Sequence, residues 1–227
     1  MATPKFVLYG YDDNPRTLIV KIVAASAGIS LKQSLVVPRM GVNKTSYMER
    51  FPLSQGKIPA IQGPGIMLTE TIAICHYFAK IQPEAHLLGS SESLDQEALV
   101  LSFVSFANQE LLQTLARWFL PLIPGLKDPA PYDYDAIEKG KQDSIRLLNT
   151  LEGVLSDKKW LVGDVPTLAD IFVAVVVSRG LQWVLGREWR VTHPSIMRHF
   201  EAVTSLDAVT GLNHNFKLIE VEIPNKR

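Results

Sequence analysis

The sequence predicts a small α/β layer followed by an all-helical domain. Strand, helix and strand patterns fit within residues 5–37, and a Gly63-Pro64-Gly65 turn then joins two short apolar runs. Beyond residue 94 every apolar pattern has the helical period. Strand, helix, strand in so short a span is a βαβ unit, whose two strands lie parallel.

Lys5–Tyr9 (KFVLY) carries the aromatic and β-branched residues of a buried strand. Asp12-Asp13-Asn14-Pro15 supplies cap-type residues and then a proline, so a helix starts there and stops near Gly28. Leu31–Val37 reads as a second strand and Lys44–Phe51 as a short helix. The segments ending at Ile61 and starting at Ile66 form a hairpin, and Thr69-Glu70-Thr71 opens the apolar helix Ile72–Ile81. The polar stretch Gln82–Ser93 marks a linker. Helices follow over Leu94–Phe119, Asp133–Leu155, Thr167–Val184 and His193–Thr204, with Pro121 and Pro124 stopping the first. In Thr167-Leu168-Ala169-Asp170 an acid stands three residues after a Thr N-cap, a capping-box pattern with Asp in place of Glu or Gln.

Of 227 residues 47% are hydrophobic and 20% charged, which excludes a disordered chain. Twenty-three Lys and Arg balance 23 Asp and Glu, so no net field draws the chain to nucleic acid or an anionic membrane. The balance conceals a split: residues 1–85 carry 9 basic and 5 acidic side chains, leaving 14 and 18 in the remainder. An anionic small ligand would prefer the first part. A single cysteine, Cys75, excludes an internal disulfide framework, and the histidines lack metal spacing, so no metal is expected. Ile171–Val177 is too short to span a bilayer, and Asp12 and Asp13 come too early for a signal sequence. A cytoplasmic location is expected.

Four segments resemble the glutathione transferase superfamily. Phe51-Pro52-Leu53-Ser54-Gln55-Gly56-Lys57-Ile58-Pro59-Ala60 is similar to its Gly-Lys-Val-Pro loop, and Leu68-Thr69-Glu70-Thr71-Ile72-Ala73-Ile74 to its Glu-Ser-x-Ala-Ile helix start. Leu87-Leu88-Gly89 resembles the interdomain linker and Thr167-Leu168-Ala169-Asp170 the capping box of the helical domain. Phe51 to Pro59, Gly186-Arg187-Glu188-Trp189-Arg190 and His193-Pro194-Ser195-Ile196 further resemble the transferase-like domain of the elongation factor 1B gamma subunit. The chain also resembles stand-alone fungal transferases of that subgroup, some of them in secondary-metabolite pathways. The resemblance implies a thioredoxin-like glutathione-binding domain over residues 1–82, and an all-helical domain with the acceptor-substrate pocket over 92–227. It implies conjugation or addition of glutathione thiolate to a small electrophile, with glutathione as co-substrate, in a homodimer. Two other functions stand beside it: a non-catalytic scaffold of the translation-factor type, and a glutathione-dependent isomerase or reductase of one metabolite. The absence of a Lys-rich tail after Arg227 weighs against the scaffold in this reading.

Glu70-Thr71 lies at a helix start, where free amides and the helix dipole favour a carboxylate. By resemblance Thr71 takes the γ-glutamyl carboxylate and Glu70 orients its amine. An X-Pro bond is ordinarily trans; the resemblance implies cis at Ile58-Pro59, exposing the backbone of Ile58 to pair with the ligand's cysteinyl part. Gln55 and Lys57 are placed to reach a ligand carboxylate. No Ser stands at the start of the first helix to activate the thiol. Arg16, in its first turn, is the first candidate and Tyr9 the second, ahead of Tyr11 and Asn14; Arg16 paired with Asp12 or Asp13 is the purely structural alternative. Cys75 reads as a core residue. Trp118, Phe119 and Tyr132 flank a Pro-rich break that could wall an acceptor pocket. Ile74, Tyr77, Phe78, Leu101 and Phe103 supply the apolar surface expected of a twofold interface.

Overall fold

The computed structural model describes residues 6–90, 93–126 and 131–226. Lys5 and Arg227 lie outside them, as does part of the linker. Four strands form one mixed sheet in the order β2-β1-β3-β4. Strands β1 (Phe6–Gly10) and β2 (Leu31–Leu35) run parallel, while β3 (Ala60–Gly63) lies antiparallel to β1 and to β4 (Ile66–Thr69). Helix α1 (Pro15–Ser26) connects the parallel pair. Asn14 caps it by accepting the Thr17 N–H at 3.0 Å, and Pro15 opens it where no intrahelical N–H is required.

Alternation along β1 sorts its side chains. Phe6 and Leu8 face α1 and helix α3 (Thr71–Ile81), where Phe6 meets Phe78 edge to face at 5.1 Å. Tyr9 faces the other side and packs with Tyr47 and Phe51 of the short helix α2 (Lys44–Arg50) and its end. Gly10 must lack a side chain, because a Cβ there would stand 2.4 Å from the Thr17 hydroxyl.

Helix α4 (Leu94–Ser105) continues through a π-helical turn, Phe106–Leu111, into α5 (Leu112–Phe119), so the long helix expected from the sequence carries one wide turn. Helices α6 (Tyr134–Val154) and α7 (Leu168–Trp183) follow, α7 being apolar nearly all round and central to the core. The apolar pattern missed two short helices, α8 (Arg187–Thr192) and α10 (Asp207–Thr210), which flank α9 (Pro194–Thr204). Each is too short to show a period.

The capping-box acid does more than cap. Asp170, fully buried, accepts the Thr167 N–H at 2.8 Å, its hydroxyl at 3.0 Å and the Leu161 N–H at 2.8 Å, and its Oδ1 lies 2.9 Å from His199 Nε2. The His193-Pro194-Ser195-Ile196 motif is likewise structural, since Glu152 accepts both the Ser195 and Ile196 N–H groups at 2.8 Å. Burial is the largest influence and opposes the Glu152 charge, but these two amides, the Ser195 side chain and the nearby His193 together outweigh it and hold its pKa below the ordinary value. One expectation is corrected here. Ile74 and Phe78 are wholly buried inside the subunit and leave no surface for a twofold contact, whereas Leu94 and Leu99 of α4 are exposed.

Candidate active site

A cavity of about 300 Å³ opens between the sheet and the helical part, lined by Arg16, Lys57, Ile58, Pro59, Glu70 and Thr71, and closed by Asn108 and Gln113 from the far side. Each element delivers one group for a local reason. The loop before β3 presents Ile58, its peptide bond to Pro59 cis. Tyr47 holds this loop by donating its hydroxyl to the Lys57 carbonyl at 2.6 Å. Burial first, and the nearby Glu70 charge, raise the Tyr47 pKa to about 12, so that donor stays protonated at neutral pH. The Ile58 amide and carbonyl have no backbone partner among the described residues, which leaves an edge for an extended ligand to pair with.

Glu70 precedes α3 with φ 69° and ψ 119°, a conformation that costs a non-glycine residue about 1–3 kcal/mol. The strain aims the Glu70 carboxylate into the cavity beside the start of α3. The first intrahelical bond of α3 runs from the Ile74 N–H to the Glu70 carbonyl, so the amides of Thr71, Ile72 and Ala73 have no partner within the helix. Thr71 is buried at this end. Carboxylate, free amides and hydroxyl together suit a ligand end carrying both an ammonium and a carboxylate.

Arg16 is half-buried and does not pair with Asp12 or Asp13. Asp12 pairs with Lys21 at 2.9 Å, while Arg16 Nε donates to the Asn108 side-chain oxygen at 2.8 Å and its Nη2 to the Asn108 carbonyl at 3.4 Å. Desolvation lowers the Arg16 pKa from the usual arginine range and the Glu70 charge opposes that, so the guanidinium remains a cation at neutral pH. The two Asn108 bonds aim it from the π turn, a distortion that recurs at functional sites.

Other expected residues lie elsewhere. Tyr9 is on the opposite face of the sheet, donating to the Gln62 side chain at 3.0 Å and accepting from Arg50 at 3.2 Å, and does not line this cavity. Gln55 is exposed and donates to the Pro52 carbonyl at 3.2 Å; it does not line the cavity, although Lys57 does. Asn14 spends its side-chain oxygen on the cap of α1. Cys75 is fully buried in the core, and burial alone drives its pKa well up. Among the described residues no group of His, Cys, Asp and Glu could hold a metal ion, and no helix is long and apolar enough to cross a membrane.

A second cavity of about 440 Å³ shares Arg16 and Gln113 with the first. Tyr11, Asp13, Arg39 and Arg179 form its polar wall; Leu112, Ala116, Phe119, Leu120, Ile123 and Trp183 supply most of the apolar one. Of the aromatic residues expected here only Phe119 contributes. Trp118 is buried with Lys141 over its ring, and the Tyr132 hydroxyl bonds to Asn225 and Lys226. Asn108, Gln113, Arg179 and Trp183 escaped the sequence reading. The polar trio Asn108-Gln109-Glu110, and Arg179 just after the apolar run Ile171–Val177, mark polar positions in these helices without telling what they face.

Comparison with known proteins agrees with this architecture. The family described as Glutathione S-transferase, N-terminal domain, matches residues 4–80, and Glutathione S-transferase, C-terminal domain, matches residues 98–207. Glutathione S-transferase AN1595 of Emericella nidulans is 33% identical over 219 residues, 96% of this chain and 79% of that protein. The GST-like domain of elongation factor 1-gamma from Saccharomyces cerevisiae superposes with a TM-score of 0.83 at 24% identity, covering 99% of this chain and 100% of the other. Glutathione transferase URE2P6 from Phanerochaete chrysosporium, solved with oxidized glutathione, gives 0.79 at 20% identity over 92% of this chain and 94% of the other.

Proposed function

The chain belongs to the glutathione S-transferase family, and from that premise we propose that it binds glutathione in the smaller cavity and adds the thiolate to a small electrophile in the larger one. Glu70 and Thr71 hold the γ-glutamyl end, the Ile58 backbone pairs with the cysteinyl part, and Lys57 neutralises a carboxylate. Arg16 stabilises the thiolate. The sulfur then attacks the electrophilic carbon, forming a C–S bond as the leaving group departs with its electron pair or as the adduct takes up a proton. The observation that carries this reading is the position of Arg16: a cation in the wall common to both cavities, where sulfur and electrophile would meet. A cysteine thiol has a pKa near 8.5, and lowering it by about two units takes roughly 2.7 kcal/mol, within the range of charge-assisted hydrogen bonding to one guanidinium plus the fields of free amides.

Calorimetry with glutathione, followed by a conjugation assay, tests the proposal. Heat of binding with turnover is expected. No detectable binding at millimolar glutathione favours a non-catalytic scaffold, the reading supported by the likeness to the elongation factor 1-gamma domain. A homodimer belongs to the proposal as well, supported by the apolar Leu94 and Leu99, 79% and 53% exposed on α4. A monomer by sedimentation at micromolar concentration would overturn it. The lone buried Cys75 suits a reducing, cytoplasmic setting.

A further inference from the structure

We propose that the larger cavity selects electrophiles whose apolar body bears a carboxylate, and that Arg179 reads that charge. The proposal rests on the glutathione reading of the adjoining cavity and names the class of its second substrate.

Arg179 stands in α7 two residues after a wholly buried apolar run. Ile171 to Val177 are all buried and Leu181 follows, so a guanidinium here carries a large desolvation cost. Within the protein the compensation is incomplete. Arg179 Nη1 donates to the neutral side chain of Gln182 at 2.5 Å, and Nε is buried with no acceptor. Among the described residues no carboxylate lies within ion-pair distance of it; Asp13 and Tyr11 act on it only through space. Nη2 also donates to no acceptor among the described residues, so the Nε–Nη2 edge, one of the two guanidinium edges that can take a carboxylate in a two-pronged pair, is left without a partner there. The indole N–H of Trp183, on the same wall, is also buried without an acceptor.

Around this cation the cavity is built for a hydrophobe. Leu112, Ala116, Phe119, Leu120 and Ile123 supply apolar surface, and the volume of about 440 Å³ admits a substituted aromatic molecule beside bound glutathione. Arg16 and Arg39 are the other cations on its wall; Arg16 sits toward the smaller cavity, held by Asn108. A ligand carboxylate on Arg179 would place its apolar body along α5 and its far end toward Arg16. In a largely apolar enclosure such a pair is worth much more than on an open surface.

Two matched pairs test this. Glutathione turnover of 4-chloro-3-nitrobenzoate is compared with that of 4-chloro-3-nitrobenzamide, each rate divided by its uncatalysed rate with glutathione. The wild type is expected to favour the acid in kcat/KM by at least about tenfold, through KM. Arg179→Gln brings that ratio near one and Arg179→Lys leaves it in between. Unreactive 3-nitrobenzoate and 3-nitrobenzamide, titrated calorimetrically into the free protein, report the same preference with no reaction involved. A wild-type ratio near one in both assays, or a ratio undiminished in a folded Arg179→Gln, overturns the proposal. Should that variant fail to fold, the wild-type ratios and Arg179→Lys decide. A glutathione titration is run alongside: glutathione binding without acid preference sinks only this proposal, while absence of glutathione binding sinks the reading beneath it.

Discussion

At the scale of single residues the proposed chemistry turns on Arg16, a cation whose direction is set by Asn108 across 92 positions of sequence. Arg16→Ala is expected to lower turnover by about ten- to a hundredfold, roughly 1.4 kcal/mol of transition-state stabilisation per power of ten. Glutathione affinity should stay within a few fold, because Glu70, Thr71 and Ile58 are untouched. The pH–rate profile should move upward as the thiol returns toward its free value; an unchanged profile would give the role to Tyr11 or a backbone amide. Asn108→Ala leaves the charge but not its aim, so its loss should be smaller and should largely vanish in an Arg16→Ala background. Tyr9→Phe, on the far face of the sheet, should add nothing to either. That face was legible in advance: Phe6 and Leu8 point one way along β1, so Tyr9 must point the other. Glu70 and Thr71 could be found from the local chemistry of a helix start, and Ile58, Lys57 and Arg16 through the family resemblance; all five line the cavity. Asn108 and Arg179 could not be found, since helical periodicity tells which side is apolar but not which distant loop it meets.

At the scale of elements, positions are fixed by short contacts at helix ends. The first turn of α1 is seated by Gly10, so Gly10→Ala should push Thr17 and with it Arg16, costing about 1–3 kcal/mol of stability and a larger share of activity than of folded protein. Thermal denaturation beside steady-state rates separates the two. The start of α9 depends on Glu152 as an anion. Its folded pKa lies below the unfolded value near 4.5, so its contribution is present above that value and is lost as pH falls through the folded pKa. Glu152→Gln should lower stability at neutral pH and flatten the acid limb of the stability curve; a limb of unchanged slope would contradict the assignment. Asp170→Ala removes acceptors for three donors and the partner of His199 at once, for an expected loss of about 3–5 kcal/mol read as a fall in Tm. The sequence located that acid through a three-residue spacing, yet the Leu161 and His199 contacts belong to the tertiary fold.

At the scale of the molecule the sheet layer and the helical part meet along α1, which packs against α7 and α10. Ligand binding in a cavity walled by both should stabilise both together. At glutathione one-hundredfold above its Kd the gain is about 2.7 kcal/mol, expected as one upward-shifted melting transition. Two transitions of which only one moves would show that the halves unfold apart. The Arg16–Asn108 bridge also bears on how this chain could be recombined. The charged group is encoded in one half of the gene and the atoms that aim it in the other. A chimera joining this sheet layer to a foreign helical half would inherit Arg16 yet leave it unaimed unless the new half offers an amide at the same turn. The first repair to make in such a chimera is an asparagine at position 108.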